Sequence, residues 1–445
     1  MFSQYDQIIF HIDVNSAFLS WSAIRELKQG SDRDLRTIPS IVGGDIKTRH
    51  GVVLAKSIQA KKYGIKTGEP VMTALKKCPT LVSVPPDHHY YREMSRQLME
   101  FLTGICPVIE QVSVDECYLD YTPIRTRYPS PEEAARIIRE GVYKQFGYTV
   151  NVGISDRKVL AKMASDFEKP DKTHTLYQHE IQEKMWPLPV GELYMCGRSA
   201  AKKLNAMGID TIGDLALADS TLIEAHLKKH GMLLQRYARG EDRSKVKPQR
   251  DRAKGIGHST TLSSDVRNRE EAYQVLKKLA GKVADRLKKQ HFKAGNVCTE
   301  IKYASFQSVS HQCMLDSETA SADRILQTAM KLFDELWSGE PVRLLGIRAT
   351  RLIEDSQPTQ MSFADYEQIM PEIRKTLEEK REREKQEKEE KEKRERERQE
   401  KERKKPEREK QDKENRKKKL EAAMNSINSK YGDGAIRKGL SEKLS

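Results

Sequence analysis

Along residues 1–176, short β-rich apolar runs alternate with longer stretches whose apolar positions recur at helical spacing. Residues 7–14 (QIIFHIDV) predict a buried strand, and a helix is predicted from Ser16 to about Lys28. Further strands are predicted within residues 38–55 and over residues 149–154, and a hairpin of two strands is predicted over residues 108–122. Further helices are predicted within residues 56–78, over residues 88–104, and from Pro131 to near Gly147. The β-α-β-β-α-β order of these elements is typical of a ferredoxin-like sheet that carries an insertion.

The pattern changes after residue 176. Residues 177–240 are predicted to be wholly helical, and the basic stretch 241–254, which contains Pro248, is predicted to be a linker. Residues 255–355 predict a second α+β unit with two helices, 269–290 and 320–337. Its strand candidates are GIGHSTTL, VCTEIKYASF, SVSHQCML and LLGIRATRL.

A highly charged segment begins at residue 371. Residues 371–420 carry 23 Lys and Arg against 17 Asp and Glu, within a chain whose net charge is +14. Glu often precedes Lys or Arg by four residues, as in Glu379 and Arg383, which favours a solvated single helix. Disorder is an equally open interpretation of this composition. Residues 421–445 form a short tail beyond this segment.

Composition excludes several protein classes. No apolar run approaches the ~20 residues of a membrane span, and no positive-then-apolar leader opens the chain. The six cysteines are scattered without a CxxC spacing, so neither a disulfide framework nor a structural zinc site is expected. We therefore expect a reducing, cytoplasmic location and no membrane partner. A pI near 9.2 favours a polyanionic partner such as nucleic acid.

Three acidic residues stand at or within predicted strands. Asp13 ends the first strand, while Asp115 and Glu116 are adjacent within another. Phosphoryl transfer uses such acids to hold two Mg²⁺ ions about 3.5–4 Å apart. Ordinary solvated surface acids are the simpler interpretation, and it would be preferred for Asp13 alone or for the Asp-Glu pair alone.

Three longer motifs surround these acids. FHIDVNSAF (10–18), SVDECYLD (113–120) and NVGISDRKVLAKMASDFEKPD (151–171) resemble, in order and spacing, the three motifs of the Y-family translesion DNA polymerases. The resemblance covers roughly residues 7–355 and is greatest to the bacterial lesion-bypass branch. It implies an α+β, right-hand polymerase with a charged C-terminal extension. Its domains would be a ferredoxin-like palm (1–17 and 83–176), small fingers (18–82), a helical thumb (177–240), a basic linker (241–254) and an α+β little finger (255–355).

The resemblance also implies roles for individual residues. Asp13, Asp115 and Glu116 would be the catalytic metal ligands, and the backbone carbonyl of Val14 would complete the shell of one of two Mg²⁺ ions. Phe18 would be a steric gate beneath the sugar of the incoming nucleotide, and Lys169 would contact its triphosphate. Without the motifs, Phe18 would be a core aromatic and Lys169 a solvated charge.

The fingers depart from the family pattern. Many members read S-Y-E-A-R-K-[FY]-G, with Tyr and Arg on the triphosphate, where this chain has Ser57-Ile58-Gln59-Ala60-Lys61-Lys62-Tyr63-Gly64. Ile58 cannot hydrogen-bond a phosphate, and Lys61 offers a point charge in place of a bidentate fork. Lys61 is therefore the expected remaining contact. Lys158 and Lys162, four residues apart on a predicted helix, are expected to meet either DNA phosphate or water.

The expected partners are primer–template DNA and deoxynucleoside triphosphates, bound by a monomer. Residues 193–216 resemble a helix-hairpin-helix that would present backbone N–H groups to a DNA phosphate, although only Gly197 remains of the usual G-x-G. Within 356–370, Gln360 to Phe363 resemble a truncated sliding-clamp peptide; clamp docking and a plain linker are both open.

The sequence thus predicts a template-directed, low-fidelity DNA polymerase that bypasses lesions by two-metal nucleotidyl transfer. The first alternative is a DNA-binding or scaffold protein that keeps the fold but has lost activity, which the altered fingers motif supports. A cyclase-like palm enzyme is a third class. It would share the acid geometry, but it would not need a thumb or a little finger.

Overall fold

The computed structural model describes residues 7–45, 51–249, 252–355 and 410–430, with residue 432 and isolated positions between 378 and 393. The chain forms two compact units, Met1–Ser356 and Gln357–Ser445. In the second unit, residues 410–430 are helical. Within the described ranges, no helix is both long and apolar enough to cross a bilayer.

The first part of the larger unit is a five-stranded sheet in the order β5-β6-β1-β7-β8. Its elements are β1 Ile9–Val14, α1 Ala17–Lys28, α4 His88–Ile105, β5 Ile109–Gln111, β6 Glu116–Asp120, α5 Pro131–Phe146, β7 Val150–Ser155, α6 Lys158–Asp166 and β8 Thr173–Thr175. The order β7-β1-β6-β5, antiparallel throughout, is the split β-α-β-β-α-β topology. The predicted ferredoxin-like sheet is confirmed. The short strand β8, parallel to β7, was not predicted.

The insertion between α1 and α4 is a small unit with its own three-stranded sheet, β3-β2-β4. Its elements are β2 Ser40–Gly43, β3 Val53–Lys56, α2 Ile58–Lys62, α3 Val71–Lys77 and β4 Val82–Val84. Ile41, Val53 and Val71 belong to a separate apolar core beneath this sheet. Strand β4 is three residues long, too short for its own periodicity to predict it.

The helical unit comprises α7 Ile181–Lys184, α8 Arg198–Asn205, α9 Ile212–Leu217 and α10 Ser220–Ala238. Its apolar core includes Leu160 and Met163 of α6 together with Leu204 and Leu215. Because α6 also packs against β1 and β7, this one helix joins the helical unit to the large sheet.

The second α+β unit has the predicted strand and helix order. Its elements are β9 Gly255–Val266, α11 Arg269–Lys289, β10 Phe292–Tyr303, β11 Ser308–Thr319, α12 Ala322–Leu336 and β12 Val342–Glu354. The antiparallel sheet has the order β11-β10-β12-β9, so β9 and β11 are its edges. Side chains from both helices share one core with Val297, Ile301 and Leu345 of the sheet. Since strand side chains alternate between faces, neither α11 nor α12 covers the opposite face of the sheet, which is here called its helix-free face.

The described part of the predicted linker is attached to the first sheet. Val246 is only 8% exposed and packs with Ile9 and Tyr118. The Asp242 carboxylate accepts a hydrogen bond from the Val159 N–H, 3.1 Å away in the first turn of α6. Residues 242–247 therefore lie against the first sheet and α6, whereas composition alone indicates only a basic connector.

Candidate active site

A cavity of about 560 Å³ opens where β1 and β6 approach α2 of the insertion. All the residues predicted to bind metal or nucleotide line it, and Lys162 does as well: Asp13, Val14, Phe18, Lys61, Asp115, Glu116, Lys162 and Lys169. Two segments more than 90 residues apart in sequence thus supply the three acids to one space. The sequence prediction of an acidic cluster agrees with this placement.

Strand pairing brings the acids together. Asp13 lies directly opposite Glu116 in the antiparallel β1–β6 pair, a geometry that separates Cβ atoms by about 4.5–5.5 Å. The Val14 N–H donates to the Asp115 carbonyl at 3.1 Å, which holds Asp115 at the end of the same pair. Burial raises the pKa of Asp13 to about 6, although the neighbouring Lys169 opposes that shift.

Two lysines neutralise these carboxylates. Lys169 forms an ion pair with Asp13 and donates to Asp166 at 2.8 Å. Lys162 Nζ lies 2.7 Å from Glu116 Oε1 and 3.2 Å from Asp166 Oδ2. Burial tends to lower the pKa of both lysines, but the surrounding carboxylates outweigh it and the net pKa is raised. Both lysines are therefore held in their charged form.

Ser113 orients the remaining acid and was not singled out from the sequence. Its hydroxyl donates to Asp115 Oδ1 at 2.6 Å and accepts the Glu116 N–H at 3.0 Å. The serine of the SVDE motif thereby fixes the turn that precedes β6. The motif itself was the available signal, because this serine is its first residue.

The donor set fits a divalent metal ion in its chemistry. Asp13, Asp115, Glu116 and the Val14 carbonyl offer only oxygen atoms, the ligands that Mg²⁺ prefers. Among the described residues, however, no three Asp, Glu, His or Cys side chains are arranged so that they could hold one metal ion. Lysine nitrogens lie against two of these acids, and both ion pairs would have to rearrange for the carboxylates to hold an ion.

Phe18 stands at the side of the cavity. Its ring stacks on Tyr91 with centroids 4.4 Å apart and meets His88 edge-on at 5.8 Å. The side chain is half-buried and also lines the cavity. Phe18 is thus both packed against the α4 helix and presented to whatever enters the site.

The side of the cavity formed by the insertion carries two lysines and an exposed isoleucine. Ile58 is 54% exposed, and Lys61 and Lys56 line the cavity beside it. Lys56 Nζ donates to Thr67 Oγ1 at 3.3 Å, and burial followed by the charge of Lys61 lowers the pKa of Lys56. Sequence reasoning missed Lys56, although it directly precedes the Ser57 motif.

Comparison with known proteins identifies the family. Residues 12–166 match the impB/mucB/samB family, and residues 253–363 match the C-terminal domain of that family. The chain is 46% identical to DNA polymerase IV of Clostridium acetobutylicum over 81% of this chain and 90% of that protein. It is 32% identical to DNA polymerase IV of Clostridium kluyveri over 97% of this chain and 98% of that protein. This chain belongs to the Y family of DNA polymerases.

Structural comparison agrees with this assignment. A Y-family DNA polymerase chimera of Dbh and Dpo4 superposes with a TM-score of 0.69, covering 78% of this chain and 99% of the chimera at 22% identity. The fold is therefore that of a right-hand polymerase with palm, fingers, thumb and little finger. The chain is a DNA-directed DNA polymerase of the lesion-bypass type, whose substrates are DNA and nucleotides.

Lys158 and Lys162 of this polymerase form ion pairs that the sequence did not predict. Lys158 Nζ is 2.7 Å from both carboxylate oxygens of Glu110 and 4.6 Å from the centroid of the Tyr118 ring. Both Lys158 and Lys162 are only 12% exposed at the side chain. Both lysines face palm carboxylates in the structure, and their contact with DNA phosphate stays a prediction.

The polymerase thumb presents Gly197 at the N-cap of α8, where no side chain accepts the first helical N–H groups. Two residues earlier, Met195 has a backbone φ of 71°, the left-handed region that glycine usually occupies. Met195 thus has a glycine-like backbone conformation two residues before Gly197, where the usual G-x-G has its first glycine. Gln360 and Phe363 lie outside the described residues.

Proposed function

We propose that the cavity catalyses nucleotidyl transfer with two Mg²⁺ ions held by Asp13, Asp115, Glu116 and the Val14 carbonyl. When bound, such ions activate a primer 3′-hydroxyl and neutralise the leaving pyrophosphate. The observation that carries the proposal is the convergence of all three acids on one cavity, with Asp13 directly opposite Glu116. Ser113 holds Asp115 in position for this role.

The lysines bind the negative charge of the nucleotide. Lys169 pairs with Asp13 in the structure and would bind the triphosphate if that carboxylate held a metal ion. Lys61 and Lys56 line the opposite side and add two positive charges there. Ile58 stands in place of the tyrosine of the family's fingers motif and Lys61 in place of its arginine, so these two lysines supply the positive charge on this side.

Phe18 excludes ribonucleotides. Its ring is held by the stack on Tyr91, so it cannot easily swing away from a 2′-hydroxyl. A steric gate needs this kind of support, because a ring that moved freely would not discriminate between sugars.

DNA is held outside the cavity by contacts that carry no base specificity. We propose that the uncapped N–H groups after Gly197 bind a backbone phosphate and that the helix-free face of the little-finger sheet, with Lys302 and Arg348, lies along the duplex. The enzyme acts as a monomer, and Gln360 with Phe363 dock on a sliding clamp.

A catalytically weakened DNA-binding protein is the second candidate. The exposed Ile58, which cannot donate to a phosphate, is the observation in its favour. The three acids and their supporting Ser113 argue against it, because a protein without catalysis has no need for this costly cluster of charges.

Primer extension on an undamaged template, with and without Mg²⁺, tests the proposal. Extension should require the metal, and Asp115→Ala should abolish it while DNA affinity stays within about twofold. Glu100→Gln, on the exposed side of α4, is the matched control and should extend normally. Substantial extension by Asp115→Ala would remove the metal assignment, whereas loss of DNA binding would show a structural defect.

A further inference from the structure

One flank of helix α11 in the little finger carries a line of positive charges. Lys278, Lys282 and Arg286 follow one another at four-residue intervals, and Lys289 follows three residues later. All four side chains are exposed. Residues at these intervals share one side of a helix, so the four cations form a single row, here called the α11 basic stripe. At 1.5 Å per residue the stripe is ~16 Å long.

No carboxylate within 4.0 Å is paired with the stripe in the described structure. Other basic residues of the same domain are paired: Arg269 with Asp334, Lys293 with Asp355 and Arg252 with Glu354, each at about 3 Å. Asp285 is the one acid between residues 278 and 289, and no ion pair forms to it there. Like charges four residues apart destabilise a helix by about 0.2–0.5 kcal/mol per pair. The stripe is therefore unfavourable for the helix alone and suited to a bound polyanion.

The stripe is anchored beside the edge strand β9. Arg286 Nη1 donates to the Gly257 carbonyl at 2.8 Å, and Lys282 Nζ lies 3.4 Å from His258 Nε2. Partial burial and then the charges of Lys282 and Arg286 lower the pKa of His258, which indicates a positive potential at this flank. The hydrogen bond to Gly257 leaves the other guanidinium N–H groups of Arg286 available to a ligand.

The position of the α11 basic stripe favours single-stranded DNA over duplex DNA as its ligand. It lies on the helix-covered side of the little finger, whereas the proposed duplex lies on the helix-free face of the sheet. Duplex DNA has a persistence length of ~150 base pairs and cannot turn around a domain two layers thick. A single strand is flexible enough to do so. No aromatic residue occurs between 278 and 289, so base stacking is not part of this surface.

We propose that the α11 basic stripe binds the sugar–phosphate backbone of the unpaired template strand ahead of the primer end. This inference rests on the proposed function, because it requires a primer–template in the cavity. With phosphates ~3.4 Å apart along a base-stacked strand, and farther apart along an extended one, the stripe is long enough for at most about five of them. Recognition by charge alone makes the binding independent of sequence and of lesions.

The test compares two primer–templates that differ only in the unpaired template, a single nucleotide in one and about 20 nucleotides in the other. Wild-type enzyme should bind the long overhang more tightly. A variant with Lys278, Lys282, Arg286 and Lys289 all changed to Gln should lose that gain but keep its affinity for the short overhang. For the long overhang, the slope of the logarithm of the variant's binding constant against the logarithm of salt concentration should also be shallower. The slope should change by about 0.7 for each phosphate that the variant no longer binds.

A control variant changes four exposed lysines elsewhere, Lys28, Lys76, Lys144 and Lys331, to Gln. It removes the same net charge and should keep the gain from the long overhang. Should the fourfold stripe variant fold poorly, Lys282→Gln with Arg286→Gln provides a milder version, expected to lose part of the gain.

Three outcomes would overturn the inference. The first is a stripe variant that keeps the overhang gain. The second is an equal loss of affinity for both DNAs. The third is displacement of the long overhang by blunt duplex as effectively as by single-stranded DNA, which would assign the stripe to a second duplex. A failure of the proposed function can be distinguished from a failure of this inference. If the proposed function were wrong, wild-type enzyme would not extend the short-overhang DNA, whereas the role of the stripe is tested by DNA binding alone.

Discussion

Asp13 and Glu116 lie opposite each other across the β1–β6 pair, yet each carboxylate is held by a different lysine. Two like charges in directly opposed positions destabilise a sheet, and the lysines offset that repulsion. If the same carboxylates held metal ions, as we propose, the lysines would have to leave them. In our proposal this exchange releases Lys169 for the triphosphate, so metal and nucleotide binding reinforce each other.

Replacing Phe18 with Ala should admit ribonucleotides. Removing the ring opens the cavity on the side of the sugar, and discrimination against ribonucleotides should fall by about 10–100-fold. The stack on Tyr91 disappears as well, which should reduce the free energy of unfolding by about 1–3 kcal/mol. Single-nucleotide insertion kinetics and thermal unfolding measure the two effects. Phe18→Tyr keeps the ring and is the control; unchanged discrimination in Phe18→Ala would place the gate elsewhere.

Replacing Lys61 with Ala should raise KM for the incoming nucleotide about tenfold, with a smaller effect on kcat. Removing a charge-assisted phosphate interaction costs roughly 1.5–3 kcal/mol, less where solvent screens it. Lys62→Ala is the matched control, because Lys62 lies on the same short helix without lining the cavity. If the KM of Lys61→Ala equalled that of the control, Lys61 would not contact the triphosphate. If KM rose in Lys56→Ala but not in Lys61→Ala, this contact would belong to Lys56.

Replacing Glu110 with Ala should loosen the segment 242–247. The Glu110 carboxylate accepts from Lys158 Nζ and from the Lys247 N–H, each at 2.7 Å, so the change leaves a largely buried lysine without its partner. We expect a loss of about 1–3 kcal/mol in unfolding free energy. Trypsin should also cleave faster after Arg243 and Lys245.

Glu140→Ala is the control for this change. It removes an exposed ion pair with Arg136, which should cost at most about 0.5 kcal/mol. Equal trypsin sensitivity of the two variants would show that Glu110 does not hold the linker.

Removing residues 371–445 should leave extension of a short primer intact, because the charged segment has no apolar stripe with which to pack on the polymerase. Ala at both Gln360 and Phe363 should reduce only the stimulation given by a sliding clamp. Extension assays with and without a clamp measure both effects. Loss of basal extension in the truncated enzyme would assign the segment to the catalytic core, and unchanged clamp stimulation would make the peptide a linker.

The sequence was sufficient for the order of most elements and for the prediction of an acidic cluster, whose three members line one cavity. Asp13, Asp115 and Glu116 stand at or within short β-rich runs that predict strands. When two such strands pair, the register of the pair places these residues side by side. The two β-α-β-β-α-β units also followed from local periodicity, because long strands and amphipathic helices repeat their pattern over many residues.

The tertiary structure alone decided how the charged groups pair. Lys162 meets Glu116 across 46 residues of sequence, and Lys158 meets Glu110 across 48, so neither pair leaves a trace in local spacing. The same holds for the attachment of Val246 to the palm, which depends on the surface that Ile9 and Tyr118 form only after folding. Backbone pattern is a local property and can be predicted from neighbouring residues, whereas the partner of a charge depends on which distant segments the fold brings within reach.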